Sequence, residues 1–202
     1  MNLRELLLVV VAGWSALGLI GVVISLARGE REKVRKGWMW LVGVWVVYGS
    51  VLLGVAMVQP QKVVAMGQDQ CFGEMCFAVV GVDEVPQFVG KNSVQDGSRL
   101  VKVTVRVKNT GRGKAQSEGL IRAYLIDKQG RRWTETSGVS GNRLTGLVGA
   151  GREMVCEPMF KVPADATGLR LVFTHGHWQP GVLVIGDPDS LGHRATVVEL
   201  GR

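Results

Sequence analysis

A group of imidazoles and carboxylates near the C-terminus is spaced for metal chemistry. His175 and His177 stand two apart, so on an extended chain both point to one side. Asp187, Asp189 or His193 would supply a third ligand, and zinc or copper is the cofactor such a set would take. The same residues have an ordinary reading. Gly176 and Gly181 mark a loop, and Gly186-Asp187-Pro188-Asp189 has the composition of a turn. No Cys-x-x-Cys or His-x-x-x-His accompanies the histidines.

The three cysteines offer a second chemistry. Cys71 and Cys76 enclose four residues that include Gly73, a loop short enough to close as a disulfide. Catalytic dithiols use two intervening residues at a helix start, where the thiol pKa is lowered. Here four precede a strand, so a structural disulfide is expected. Cys156 is left over and falls on the inward parity of its strand, which predicts a buried thiol. A third candidate is the basic face of Lys102, Arg106 and Lys108, continued by Arg112, which could meet anionic lipid, a polymer or an acidic partner. A solvated outer sheet face has the same composition. No Ser/His/Asp set, phosphate loop or paired-carboxylate motif stands out, and the chain is not expected to be an enzyme.

The elements that must position these residues fall into two parts. Leu6 to Ala27 and Trp38 to Val58 are uncharged runs of 22 and 21 residues. About 20 helical residues cross the hydrocarbon core of a bilayer, so both qualify as spans of a transmembrane hairpin. The stretch 28–37 between them holds Arg28, Arg31, Lys33, Arg35 and Lys36 against Glu30 and Glu32. Basic residues stay on the cytoplasmic side. The expected topology is a multi-pass cell-membrane protein with loop 28–37 inside and both termini outside. A signal peptide ending near Ser25-Leu26-Ala27 is the rival, but the run exceeds the usual 7–15 apolar residues and carries little leading charge. The net charge of +7 is partly this topology signal: six Lys and Arg against three Asp and Glu lie before Pro60, and 18 against 14 after it. Nucleic acid is not an expected partner of a domain on the outer side. Small residues recur in both spans (Gly13, Ala16, Gly18 and Gly21, then Gly43, Gly49, Ser50 and Gly54) and are expected to pack the helices or to dock another subunit.

Residues 60–70 read as a polar tether, and 71–202 as an extracytoplasmic domain large enough for its own core. There the hydrophobic period becomes two. Cys76–Val82 is a strand candidate. In Leu100–Asn109 the valines 101, 103, 105 and 107 alternate with Lys102, Thr104, Arg106 and Lys108. Leu120–Asp127 and Arg131–Glu135 form a hairpin about Asp127-Lys128-Gln129-Gly130. Ser137–Gly151 is loop. Glu153–Val162 is a strand interrupted by Pro158, followed by Gly168–His175, Val182–Ile185 and Ala195–Leu200. Seven or eight short strands without a useful amphipathic helix describe a mainly β protein, an antiparallel β-sandwich.

The run Ser98–Gly111 (SRLVKVTVRVKNTG) resembles a telokin-like, immunoglobulin-like family of bacterial extracellular domains of unknown function. There, a strand ending in Val-x-Asn-x-Gly is followed by an Asp-x-x-Gly hairpin, here Asp127–Gly130. A glycine, a strand and Val-Pro follow, here Gly151 and Val162-Pro163, and then Leu-x-Leu-x-Phe, here Leu169–Phe173. The likeness covers about Cys76 to Phe173. It implies an immunoglobulin-like sandwich hung from a lipid anchor or membrane helix, with no catalytic residues to carry over. The expected function is a membrane-anchored binding or accessory module that engages a protein partner in the envelope. The alternative is a metal- or ligand-binding domain using the His-rich tail.

Overall fold

The computed structural model describes residues 3–85, 97–136, 141–175, 180–187 and 190–201. They group into two compact units, and the chain passes between them three times. One comprises the chain up to Pro60 together with the tail segment from His177 to Arg194; the other comprises Gln61–Gly176 and Ala195–Arg202.

The first unit is built on α1 (Leu3–Ala27) and α2 (Arg31–Val58), both long and apolar enough to cross a membrane. The basic stretch expected as a loop is mostly helix. Only residues 28–30 lie between the helices, and residues 31–37 form the first turns of α2. Gly29, at φ +73°, takes the left-handed conformation that commonly ends a helix. A Cβ on Gly18 would sit 2.9 Å from Leu41 Cδ2, and one on Gly37 would sit 2.6 Å from Val22 Cγ2. These two glycines mark where the helices touch. Gly13, Gly21, Gly43, Gly49 and Gly54, which the sequence groups with Gly18, have open space at that position. Trp45 donates to Ser15 Oγ at 3.0 Å, tying α2 to α1 in a largely apolar unit.

The second unit contains two sheets with a shared core, a β-sandwich. Its strands are β1 (Val63–Val64), β2 (Gln70–Phe72), β3 (Met75–Val85), β4 (Ser98–Asn109), β5 (Arg122–Ile126), β6 (Arg132–Thr134), β7 (Glu153–Cys156), β8 (Met159–Pro163), β9 (Arg170–Thr174) and β10 (Val197–Glu199). One sheet runs β1-β10-β9-β5-β6. The other runs β2-β3-β4, and β4 continues onto β7 and β8 in turn. Pro158 separates those two strands, and Val103 N–H reaches its carbonyl at 3.0 Å. The alternation in β4 is realised: Val101, Val103, Val105 and Val107 are buried against Phe77, Phe160, Leu171 and Phe173. Leu171 and Phe173 point inward as their parity predicts, with Leu169 half-buried at the edge of the same core.

Two segments differ from their sequence reading. The tether contains β1, which pairs in parallel with β10, so part of it is sheet. Residues 182–185 are not a closing strand. Pro180–Leu183 is a turn of 3-10 helix, followed by a series of tight turns. Val184, Asp187, Ser190 and His193 each donate to the carbonyl three residues back. Apolar composition suggests a strand at 182–185, but the backbone groups there find local partners, and Pro180 has no N–H to give a ladder.

Candidate functional site

Asn109 organises one end of the sandwich. It ends β4, its residue is fully buried, and its amide donates to Val148 O at 2.9 Å and Lys114 O at 3.1 Å. Its Oδ1 accepts from Gly111 N–H at 2.9 Å. Gly111 has to be small, because a Cβ there would lie 2.5 Å from Glu74 Oε2 and 2.9 Å from Asn109 Oδ1. Gln116 and Val148 exchange backbone hydrogen bonds at 2.9 and 2.8 Å, and the Gln116 side chain donates to Glu74. The loops after β4 and before β7 are thereby held together, and each presents an exposed leucine, Leu120 and Leu147. The sequence marks this clip through Val-x-Asn-x-Gly, whose Asn and Gly now have physical reasons.

His175, just past the end of β9, joins the same unit. Its Nε2 lies 3.3 Å from Glu118 Oε1, and its ring stands edge-on to Phe72 at 4.5 Å between centroids. The other proposed metal ligands are distributed differently. His177 and Asp189 lie outside the described residues. Asp187 and His193 belong to the helical unit, within the tail's series of turns. Among the described residues no three His, Cys, Asp or Glu side chains come together as a metal site. The His175–Glu118 pair supplies one imidazole and one carboxylate.

Cys71 and Cys76 are bonded as a disulfide, as their spacing suggests. They face each other directly across β2 and β3, so the bond fastens an edge strand to its neighbour. Cys156 is a free, fully buried thiol 3.4 Å from Arg143 O. Burial, reinforced by the charge of Glu135, pushes its pKa up to about 11. A thiol held neutral in this way is a poor nucleophile.

The basic face is partly neutralised. Lys102 lies 3.2 Å from Glu157 and 3.8 Å from Asp83, and Arg106 lies 3.1 Å from Asp69. Lys108 and Arg112 are exposed. A cluster that the sequence reading does not single out sits at the β5–β6 turn. Asp127, itself buried, accepts from Gln129 N–H and Arg131 N–H at 2.9 Å each and from Arg131 Nε at 2.7 Å. Arg131 also reaches Asp165 at 2.9 Å and lies over the Trp133 ring. Burial alone would push the Asp127 carboxyl up, but the Arg131 hydrogen bonds and charge, with the Gln129 N–H, hold it below the usual carboxylate range. The Asp-x-x-Gly motif is thus a self-bonded turn.

Comparison with known proteins gives a family and several structural likenesses. No curated protein matches the chain. A β-sandwich protein of Clostridium difficile 630 is 11% identical, with a TM-score of 0.44, over 71% of this chain and 96% of that one. MPT63, a secreted protein of Mycobacterium tuberculosis, is 9% identical with a TM-score of 0.44, over 58% and 92%. The yjhA protein of Bacillus subtilis is 15% identical with a TM-score of 0.42, over 68% and 98%. The family described as Domain of unknown function (DUF4352) matches residues 64–182, which hold nearly all of the sandwich and the start of the tail segment, and the chain belongs to that family.

Proposed function

We propose that this chain is a non-catalytic binding module of a bacterial envelope, held at the membrane by its two helices and engaging a protein partner through its β-sandwich. The observation that carries the reading is the exposure of α1 and α2. Trp14, Trp40, Met57 and Val58 are 65–85% exposed, on helices apolar around most of their circumference. Leaving such side chains in water costs roughly 1.5–3 kcal/mol each, whereas hydrocarbon accepts them without penalty. The basic residues about 28–36 favour that turn on the cytoplasmic side, with the sandwich outside. An extracytoplasmic position also suits the disulfide. We read the sandwich as immunoglobulin-like, with the hairpin as its anchor.

Binding is favoured over catalysis by how the reactive groups are used. The Cys71 and Cys76 sulfurs are consumed in a disulfide, Cys156 is buried, and Asp127 is saturated by its own turn. Leu120 and Leu147, exposed on loops fixed by Asn109, are apolar groups available for contact. Gentle detergent purification of the full chain from its host should retain a stoichiometric protein, and a Leu120→Asp/Leu147→Asp variant should lose it. A chain that purifies alone under conditions preserving membrane complexes would count against a protein partner.

The His175–Glu118 pair favours a second reading, in which zinc or copper is held with the help of His177. Metal analysis of the same preparation tests it. Stoichiometric metal lost in a His175→Ala/His177→Ala variant would replace the first reading with this one.

A further inference from the structure

The helical unit carries an open groove of about 720 Å³ along one face of the hairpin. Leu7 and Val11 of α1 form one wall, and Gly43, Val47 and Val51 of α2 form the other. Ile185 joins at the Tyr48 end. The Tyr48 hydroxyl at that end is already used, because it donates to Leu183 O at 2.6 Å. Gly43 has nothing within 4 Å of where a Cβ would stand, so it leaves a recess in the wall. Lys36 is the charged residue on the lining, beside Trp40. Among the described residues, Lys33 of the same turn pairs with Glu30 at 3.1 Å, while Lys36 has no carboxylate within ion-pair distance. An apolar slot with one unpaired cation at its mouth complements an anionic amphiphile.

The part of the groove nearest Lys36 matches one leaflet in depth. One leaflet is half of the roughly 30 Å hydrocarbon core, about 15 Å. At about 1.5 Å per residue, Lys36 to Val47 covers about that depth. Lysine side chains place their ammonium at the headgroup level while their stems lie along apolar surface. We propose that the groove binds one anionic phospholipid, its headgroup on Lys36 and an acyl chain along Gly43 and Val47. This rests on the membrane reading above.

Native mass spectrometry of the full chain, released from micelles doped equally with phosphatidylglycerol and phosphatidylcholine, tests it. The wild type should retain one phosphatidylglycerol in about fivefold preference, the factor that corresponds to one lysine at an anionic surface. Lys36→Gln should abolish the preference, and Gly43→Leu should lower retention of both lipids. Equal retention of the two lipids by the wild type, or a preference unchanged in Lys36→Gln, would overturn the proposal. So would a second copy or a co-purified helix protein seated at Gly43, detected by cross-linking from a Gly43→Cys variant. A chain that stays in solution without detergent would remove the membrane reading itself. A detergent-dependent chain without lipid preference would remove only the lipid site.

Discussion

Asn109 and Asp127 show what single residues contribute here. Both are buried polar groups made tolerable by their hydrogen bonds. Replacing Asn109 by Ala strips the Lys114 carbonyl of its side-chain donor and removes one of the two bonds to the Val148 carbonyl. The expected loss is about 1–3 kcal/mol of sandwich stability, measured by denaturant unfolding of the solubilised chain. Asn109→Asp should cost more, because a carboxylate oxygen then faces those carbonyls in place of a donor. Asp127 has a folded pKa below its ordinary value, so its contribution is present above the unfolded pKa, about 3.9, and is lost as pH falls through the folded one. Unfolding midpoints measured from pH 6 down to pH 2 should fall for the wild type and fall less for Asp127→Asn. Equal slopes would remove Asp127 from the acid response. The motif letters at both positions are legible in the sequence. Their partners are not: Val148 lies 39 residues from Asn109, and only the folded sheets bring them together.

Among elements, periodicity is informative where one face is buried and misleading where backbone bonding decides. β4 reads correctly from its alternating valines, and Cys156 reads inward from its parity. The break at Pro158 is equally legible, because a residue without N–H cannot continue the ladder onto β4. Val182–Ile185 has strand composition but closes on itself in turns, which no apolar count reveals. β1 has no signature in the sequence because two residues carry no period, and it exists through parallel pairing with β10. The disulfide is an element-scale device, since β2 is three residues long and pairs with β3. Closing so short a loop constrains the unfolded chain modestly. A Cys71→Ser/Cys76→Ser variant should lose about 2 kcal/mol, with amide exchange rising first in residues 70–72. Unchanged stability and protection would make the bond incidental to the fold.

At the scale of the molecule, the sequence reads as two consecutive parts, and the structure groups into two compact units with a different border. The tail segment 180–187 and 190–194 groups with the helices: Arg4 donates to Gly186 O at 2.7 Å and Tyr48 to Leu183 O. A linear reading assigns it to the sandwich, because contacts spanning more than 130 residues leave no trace in local composition. The same grouping separates His193 and Asp187 from His175, members of one candidate metal set in the sequence. The function proposed here depends on where the two units lie relative to a membrane. Labelling intact cells with a membrane-impermeant maleimide tests that most directly. Glu32→Cys and Lys114→Cys are made singly; neither removes a basic residue from the turn that sets orientation, and native Cys156, buried with a raised pKa, should stay silent. With the sandwich outside and the turn inside, Lys114→Cys should label in intact cells and Glu32→Cys only after permeabilisation. Labelling of Glu32→Cys in intact cells, with Lys114→Cys protected, would contradict it.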